Sequence, residues 1–307
     1  MQEKQNNDGG VIGNAAGDSV WVRSMPLVFV FLWSTGFVGA KLGLPHAPPV
    51  TFLVLRFALV VVLMLPIAIL FRAPWPNSPQ QVAHIAVAGV WLHGGYLVGV
   101  FGSIHFGMSA GLVALIVGLQ PILTAFAAAP LLGERVSRRQ WLGLLLGLGG
   151  VVLVVLQKIS LSGLSALSIS MALIALVSIT IGTVYQKRFC APFDLRSGSV
   201  IQFVAAGLAL LPFGLALETM RVAWTREFLF ALAWLALVLS IGAISLLTLL
   251  IRRGAATTVA SLFYLTPPTT AVMAYFLFGE TLTGIALVGM LLAIAGVALV
   301  VSEPRPR

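Results

Sequence analysis

The chain has 307 residues, 59% of them hydrophobic and only 9% charged, with a mean hydropathy of +1.05. A soluble domain covers its surface with roughly 25% charged residues, so this composition excludes one and points to lipid-facing surface. The net charge of +9 comes without a long basic run or interleaved aromatics, which excludes nucleic acid as a partner, and the single cysteine, Cys190, excludes an internal disulfide and a multi-cysteine metal site.

Residues 1–24 are polar, lack the apolar core of a signal peptide, and read as a mobile cytoplasmic tail. Ten apolar runs follow, at 25–44, 50–71, 82–103, 107–131, 138–157, 164–188, 197–217, 227–251, 255–278 and 283–302. Each is about long enough to cross a bilayer as a helix, the form that satisfies its own backbone in lipid. Pro45, Pro48, Pro49, the 73–79 stretch, Gly133, Pro192, Gly254 and Gly279 separate them. Residues 303–307 form a second short tail. The predicted fold is an all-α membrane protein of ten transmembrane helices.

With ten spans, thirteen Lys and Arg fall on the side holding both termini. Lys41, Lys158, Arg221 and Arg226 fall on the other, and Arg56 lies inside a span. Positively charged loops stay cytoplasmic, which places both termini inside a plasma membrane, the inner membrane if the source is bacterial.

Shifting the chain by 146 residues lays 110–155 on 256–301 with 19 identities in 46 positions. Pro121 meets Pro267, Thr124 meets Thr270, and Gly133-Glu134 meets Gly279-Glu280. Upstream, Gly36 meets Gly182, Lys41 meets Lys187 and Phe57 meets Phe203 at the same offset. The chain therefore divides into a first five-helix repeat, 25–158, and a second, 164–302. Five is odd, so the second repeat enters the membrane inverted. Inverted repeats are a common construction of secondary transporters; the alternative is an old duplication kept for packing.

The segments LWSTGFVGAKLG, LRF, QPILTAFAAAPLLGE and WLGLLLGLGGVVLVV, with the later echoes TPPTTAVMAYFLFGE and LVGMLLAIAGVALVV, give the chain over residues 25–302 a resemblance to a known family. It resembles the drug/metabolite transporter superfamily, specifically the ten-helix EamA-type carriers. The resemblance implies a central cavity lined by helices 1, 3, 4, 6, 8 and 9. It also implies export, or sometimes uptake, of small metabolites such as amino acids or aromatic compounds.

All nine carboxylates fall in tails, loops or helix ends, which speaks against a buried carboxylate as proton site. The small multidrug relatives use a first-helix Glu that this chain lacks. His93, with Tyr96 one turn away, is a substrate or proton group or else an interhelical hydrogen-bonding residue. Trp33, Phe37 and Lys41 form a stripe that could stack a planar substrate and meet its carboxylate, or else a core stripe with Lys41 reaching the interface. Arg56 costs about 2.5–3.5 kcal/mol in a span; a structural pair or snorkelling is favoured over attraction of anionic substrate. Gln120-Pro121 and Thr266-Pro267 combine a polar side chain with a freed carbonyl, making Gln120 and Thr266 binding candidates and Pro121 and Pro267 hinges. Tyr264 and Ser240 are weaker cavity candidates. Gly143, Gly147, Gly289 and Ala293 are small-residue packing faces. Glu134 and Glu280 lock loops before Ser137 and Thr283, and Ser137 with Gln140 makes a capping box.

The expected function is export of small metabolites by alternating access, without a metal or cofactor, as a monomer or homodimer whose partners are a small-molecule substrate and the bilayer. An uptake permease of the same fold is the nearest alternative. A non-transporting scaffold or a membrane-embedded enzyme is the different class, and the spans offer no nucleophile with a base and no paired aspartates.

Overall fold

A computed structural model describes residues 15–156, 164–190, 192–278 and 282–302. The tail residues 1–14 and 303–307, the side chains of Phe37 and Lys41, and the Gly279-Glu280 pair lie outside the described residues. Among the described residues the chain is helical with no strand.

Helical rods cover the ten predicted ranges. They are α1 (Ala15–Gly43), α2 (Pro49–Leu70), α3 (Pro79–His105), α4 (Ala110–Val117 and Gln120–Leu132), α5 (Arg138–Leu156) and α6 (Ala166–Phe189). Then follow α7 (Leu195–Leu217), α8 (Arg226–Arg253), α9 (Ala256–Ser261, Leu262–Leu265 and Thr266–Phe278) and α10 (Gly284–Val301). Eight of them, α2 to α8 and α10, are long and apolar enough to cross a membrane among the described residues; the apolar part of α1, Ser24–Gly36, is shorter. Helix α1 starts at Ala15, inside the stretch read as a tail. Its composition is polar, but nothing breaks a helix before Pro26, and alanines favour one.

Side-chain caps fix the starts. Ser137 and Gln140 bond reciprocally before α5, as the capping-box pattern predicts. Ser78, Ser109, Thr225 and Thr283 accept the first free backbone N–H groups of α3, α4, α8 and α10.

Helices α2 and α7 pack on each other, as do α5 and α10; α3 and α4 pack on α6, while α8 and α9 pack on α1. Exchanging every helix with the one five places along reproduces this set of pairings. The two halves are therefore related by a two-fold pseudo-symmetry. Along α5 and α10 the backbones touch, and a Cβ at Gly150 would strike the Gly289 carbonyl oxygen while one at Gly143 would strike that of Gly296. Large apolar side chains such as Phe126, Leu208, Phe276 and Leu291 point outward. In water such a surface would aggregate, whereas in a bilayer it is solvated.

A carboxylate ties the halves together at each end of the bundle. At one end Glu218, just past α7, accepts from the Val50 and Thr51 backbone N–H groups at 2.8 and 2.7 Å and from the Thr51 hydroxyl. These are the free donors at the start of α2. At the other end Glu134 accepts from the Ala256 N–H at the start of α9, 3.0 Å away, and pairs with Lys187 at 3.6 Å. Lys187 also donates to the carbonyls of Ile251 and Gly254.

Candidate functional site

In the middle of the bundle, α3 widens to i→i+5 hydrogen bonding over Val90–Gly95, and α8 does so over Leu235–Ala243. The 146-residue offset lays one on the other, so the irregularity is repeated in both halves. Such π segments are rare and gather at functional sites. Helices α4 and α9 break at matching places too. α4 turns at Gly118 and Leu119, and α9 passes through the 3₁₀ turn Leu262–Leu265. Pro121 and Pro267 each sit in the first turn after the break, where the missing N–H has no helical partner to lose. The proline positions thus restart helices and do not bend continuous ones.

Between α1, α2, α3 and α8 lies a cavity of about 40 Å³. Trp33, Gly36 and Ala40 line it from α1, Arg56 from α2, Leu92, Tyr96, Leu97, Val100 and Phe101 from α3, and Leu235, Leu239 and Ile244 from α8. The space suits two or three waters and falls well short of the roughly 300 Å³ of a small-molecule site. The lining differs from that implied by the resemblance. Helix α2 contributes through Arg56, while the described residues of α4, α6 and α9 do not line this cavity.

Trp33 and Tyr96 stack with ring centroids 6.1 Å apart and planes 19° from parallel, and Phe263 meets Trp33 edge-on at 5.2 Å. Arg56 is 2% exposed, and its Nε donates to the Ser240 hydroxyl at 2.9 Å. No carboxylate among the described residues pairs with it. Snorkelling is thereby corrected, and the structural partner expected for Arg56 is a neutral hydroxyl. Two turns into a helix whose neighbours are α7 and α8, its side chain has neither an acid to meet nor the interface to reach.

His93 does not line the cavity. It is 1% exposed, stacks on Phe203 at 4.3 Å and 14°, and places Nε2 3.3 Å from the Gln202 amide oxygen. The shared face with Tyr96 assumed a regular helix. The π segment inserts extra arc between the two, turning Tyr96 to the cavity and His93 toward α7. Gln202 continues to Gln186 at 2.8 Å. His93 Nδ1, Gln186 Nε2 and Thr183 Oγ1 are buried without a partner among the described residues.

The remaining candidates lie deeper along the breaks. Gln120 donates to Thr124 at 3.2 Å and leaves its amide oxygen unpartnered. Tyr264 is fully buried with its ring against the α5 glycine Gly147 and its hydroxyl unpartnered. The Thr266 hydroxyl is likewise unpartnered, and its carbonyl accepts from Ser34 at 3.4 Å. Ser240 is engaged by Arg56. Sequence reasoning placed Gln202 only as the neutral counterpart of Arg56 and missed Gln186; a polar residue paired across the offset with Ala40 was the available signal for the latter. Among the described residues no cluster of three or more His, Cys, Asp or Glu could hold a metal.

A solved crystal structure aligns with a TM-score of 0.72 over 90% of this chain and 95% of its own, at 18% identity, a likeness of fold. A probable amino-acid metabolite efflux pump of Salmonella typhimurium is 27% identical over 92% of this chain and 95% of its own length. The uncharacterized inner membrane transporter YedA of Escherichia coli is 26% identical over 88% of this chain and 87% of its own. The model of the EamA-like transporter family matches twice, over residues 21–156 and 166–302, one match to each half of the pairing just described, and the chain belongs to that family of multi-pass membrane transporters.

Proposed function

We propose that the chain is a secondary carrier that exports small metabolites of the amino-acid or aromatic class by alternating access between two oppositely inserted five-helix halves. All ten rods cross the membrane, with both termini in the cytoplasm. The observation that carries this reading is the small cavity flanked by π segments at matching places of the two halves. Locally weakened helices at the centre of a two-fold bundle are where one half can rock against the other. The name of the Salmonella relative supports the substrate class and the direction. The spans hold no mid-membrane carboxylate to carry a proton, which favours facilitated export or exchange over proton antiport.

Purified protein in liposomes, oriented by sidedness labelling, should transport members of a metabolite panel in a saturable manner with little response to a pH gradient. His93→Ala or Gln120→Ala should lower the rate about tenfold while folded protein persists, because each removes a buried polar group with spare bonding capacity. Rates at wild-type level in both variants would remove these residues from the pathway.

A further inference from the structure

Among the described residues Arg56 is the one charged side chain on the cavity wall. Its guanidinium carries five N–H donors. Only Nε is engaged, by Ser240, and the two terminal nitrogens have no hydrogen-bond partner among the described residues. Two other cations are met by carboxylates, Lys187 by Glu134 and Arg196 by Asp194. A buried cation whose task is structural needs such a counter-charge.

The second half sharpens the contrast. Gln202 stands at the equivalent position, and both ends of its amide are used, toward His93 and Gln186. The locking role at this level is filled there by a neutral residue, whereas in the first half a charge with four unused donors faces the cavity. The bond from Nε holds the plane of the group and leaves its terminal fork free, the geometry that accepts a carboxylate bidentately. Around it the wall is Trp33, Tyr96, Phe101 and aliphatic carbon, and among the described residues no carboxylate lines it to receive an ammonium.

We propose that Arg56 binds the carboxylate of the substrate, and that the carrier therefore selects compact net anions: molecules with one carboxylate, an apolar or aromatic body and no free amine. This rests on the carrier reading above and narrows its substrate class to amine-blocked and aromatic acids, setting free amino acids aside. It also supplies a driving force that needs no titrating acid in the spans. A net anion leaving a cell that is negative inside moves down the electrical gradient.

Full-length protein in liposomes should be offered four probes built on one aromatic ring. They are N-acetylphenylalanine (anion), N-acetylphenylalaninamide (its neutral counterpart), phenylalanine (zwitterion) and phenyltrimethylammonium (cation). The expected result is efflux of the anion about tenfold or more above the other three, accelerated by an inside-negative potassium diffusion potential. Arg56→Gln should lower anion flux by about ten- to a hundredfold, the loss expected for a buried charge-assisted contact, with Arg56→Lys in between. N-acetylphenylalanine should also raise the thermal midpoint of wild-type protein in detergent and not that of Arg56→Gln, a readout independent of flux. Preference for phenylalanine or the cation overturns the assignment while leaving the carrier intact, as does wild-type anion flux in Arg56→Gln or no anion protection of the wild type. A protein that carries nothing from a broad metabolite mixture loses the carrier reading instead, and the thermal arm still decides the role of Arg56.

Discussion

His93 and Arg56 each bring a nitrogen-rich side chain to mid-membrane, and the chain accommodates them by different means. His93 is sandwiched against Phe203 and tethered to an amide, whereas Arg56 gives up one donor and keeps a face to the cavity. At the aqueous boundary Asp194 follows a third pattern. It caps α7 by accepting the Arg196 backbone N–H at 2.8 Å and bonds the Arg196 guanidinium. The guanidinium first, and the backbone donors after it, hold its carboxyl below the usual carboxylate range. Its folded pKa is thus lower than its unfolded one, so its stabilisation is present above the ordinary value and is lost as pH falls through the folded value. Asp194→Ala should cost about 1 kcal/mol near neutral pH, mostly the cap, because the partly exposed ion pair is screened. The difference in thermal midpoint between wild type and variant should shrink in acid. Residue type alone made Trp33, Tyr96 and Arg56 stand out in the sequence. The direction each side chain takes did not follow from type, because it depends on helical phase.

Helical phase is decided at the level of elements, and there the sequence is uneven. The breaks in α4 and α9 are announced by Pro121 and Pro267, since a ring without N–H marks where a helix restarts. The π segments carry no such mark. Leu235–Ala243 reads as continuous apolar helix. That is why His93 and Tyr96 appeared to share a face. The carboxylate ties were half legible: Glu134 was read as a loop lock, yet what it holds is the start of α9, 122 positions away, with Lys187. Glu134→Gln and Glu218→Gln should each loosen one end only. Cysteines placed near Ala256 and near Val50 should react faster with a membrane-impermeant maleimide in the variant of the same end and stay at wild-type rate in the other. Faster labelling at both ends in either variant would show that the ties do not act separately.

At the scale of the whole molecule, the fixed offset of Gly, Pro and Glu made the duplication visible before any coordinates, and the pairing of helices follows it throughout. The size of the central cavity was not legible, because it depends on how far the halves have closed and not on which residues line them. The α5–α10 seam is the most demanding contact in that arrangement. Gly150→Val would drive a branched side chain into the Gly289 carbonyl and the α10 backbone. It should lower the thermal midpoint strongly, by a change in stability on the order of 2–4 kcal/mol. Gly149→Ala, one residue away in open space, should leave the midpoint within about 0.5 kcal/mol of wild type.

The same seam has a consequence for origin and assembly. Gly150 meets Gly289 and Gly143 meets Gly296, and the offset converts the first contact into the second. The interface is isologous, the kind an identical pair of polypeptides makes with itself. A precursor half as long would have found its own copy across this seam without any new surface, so joining two genes end to end would have preserved an existing homodimer and freed each copy to diverge. Arg56, where the other half carries Gln202, is such a divergence, a charge that only an asymmetric descendant can present once.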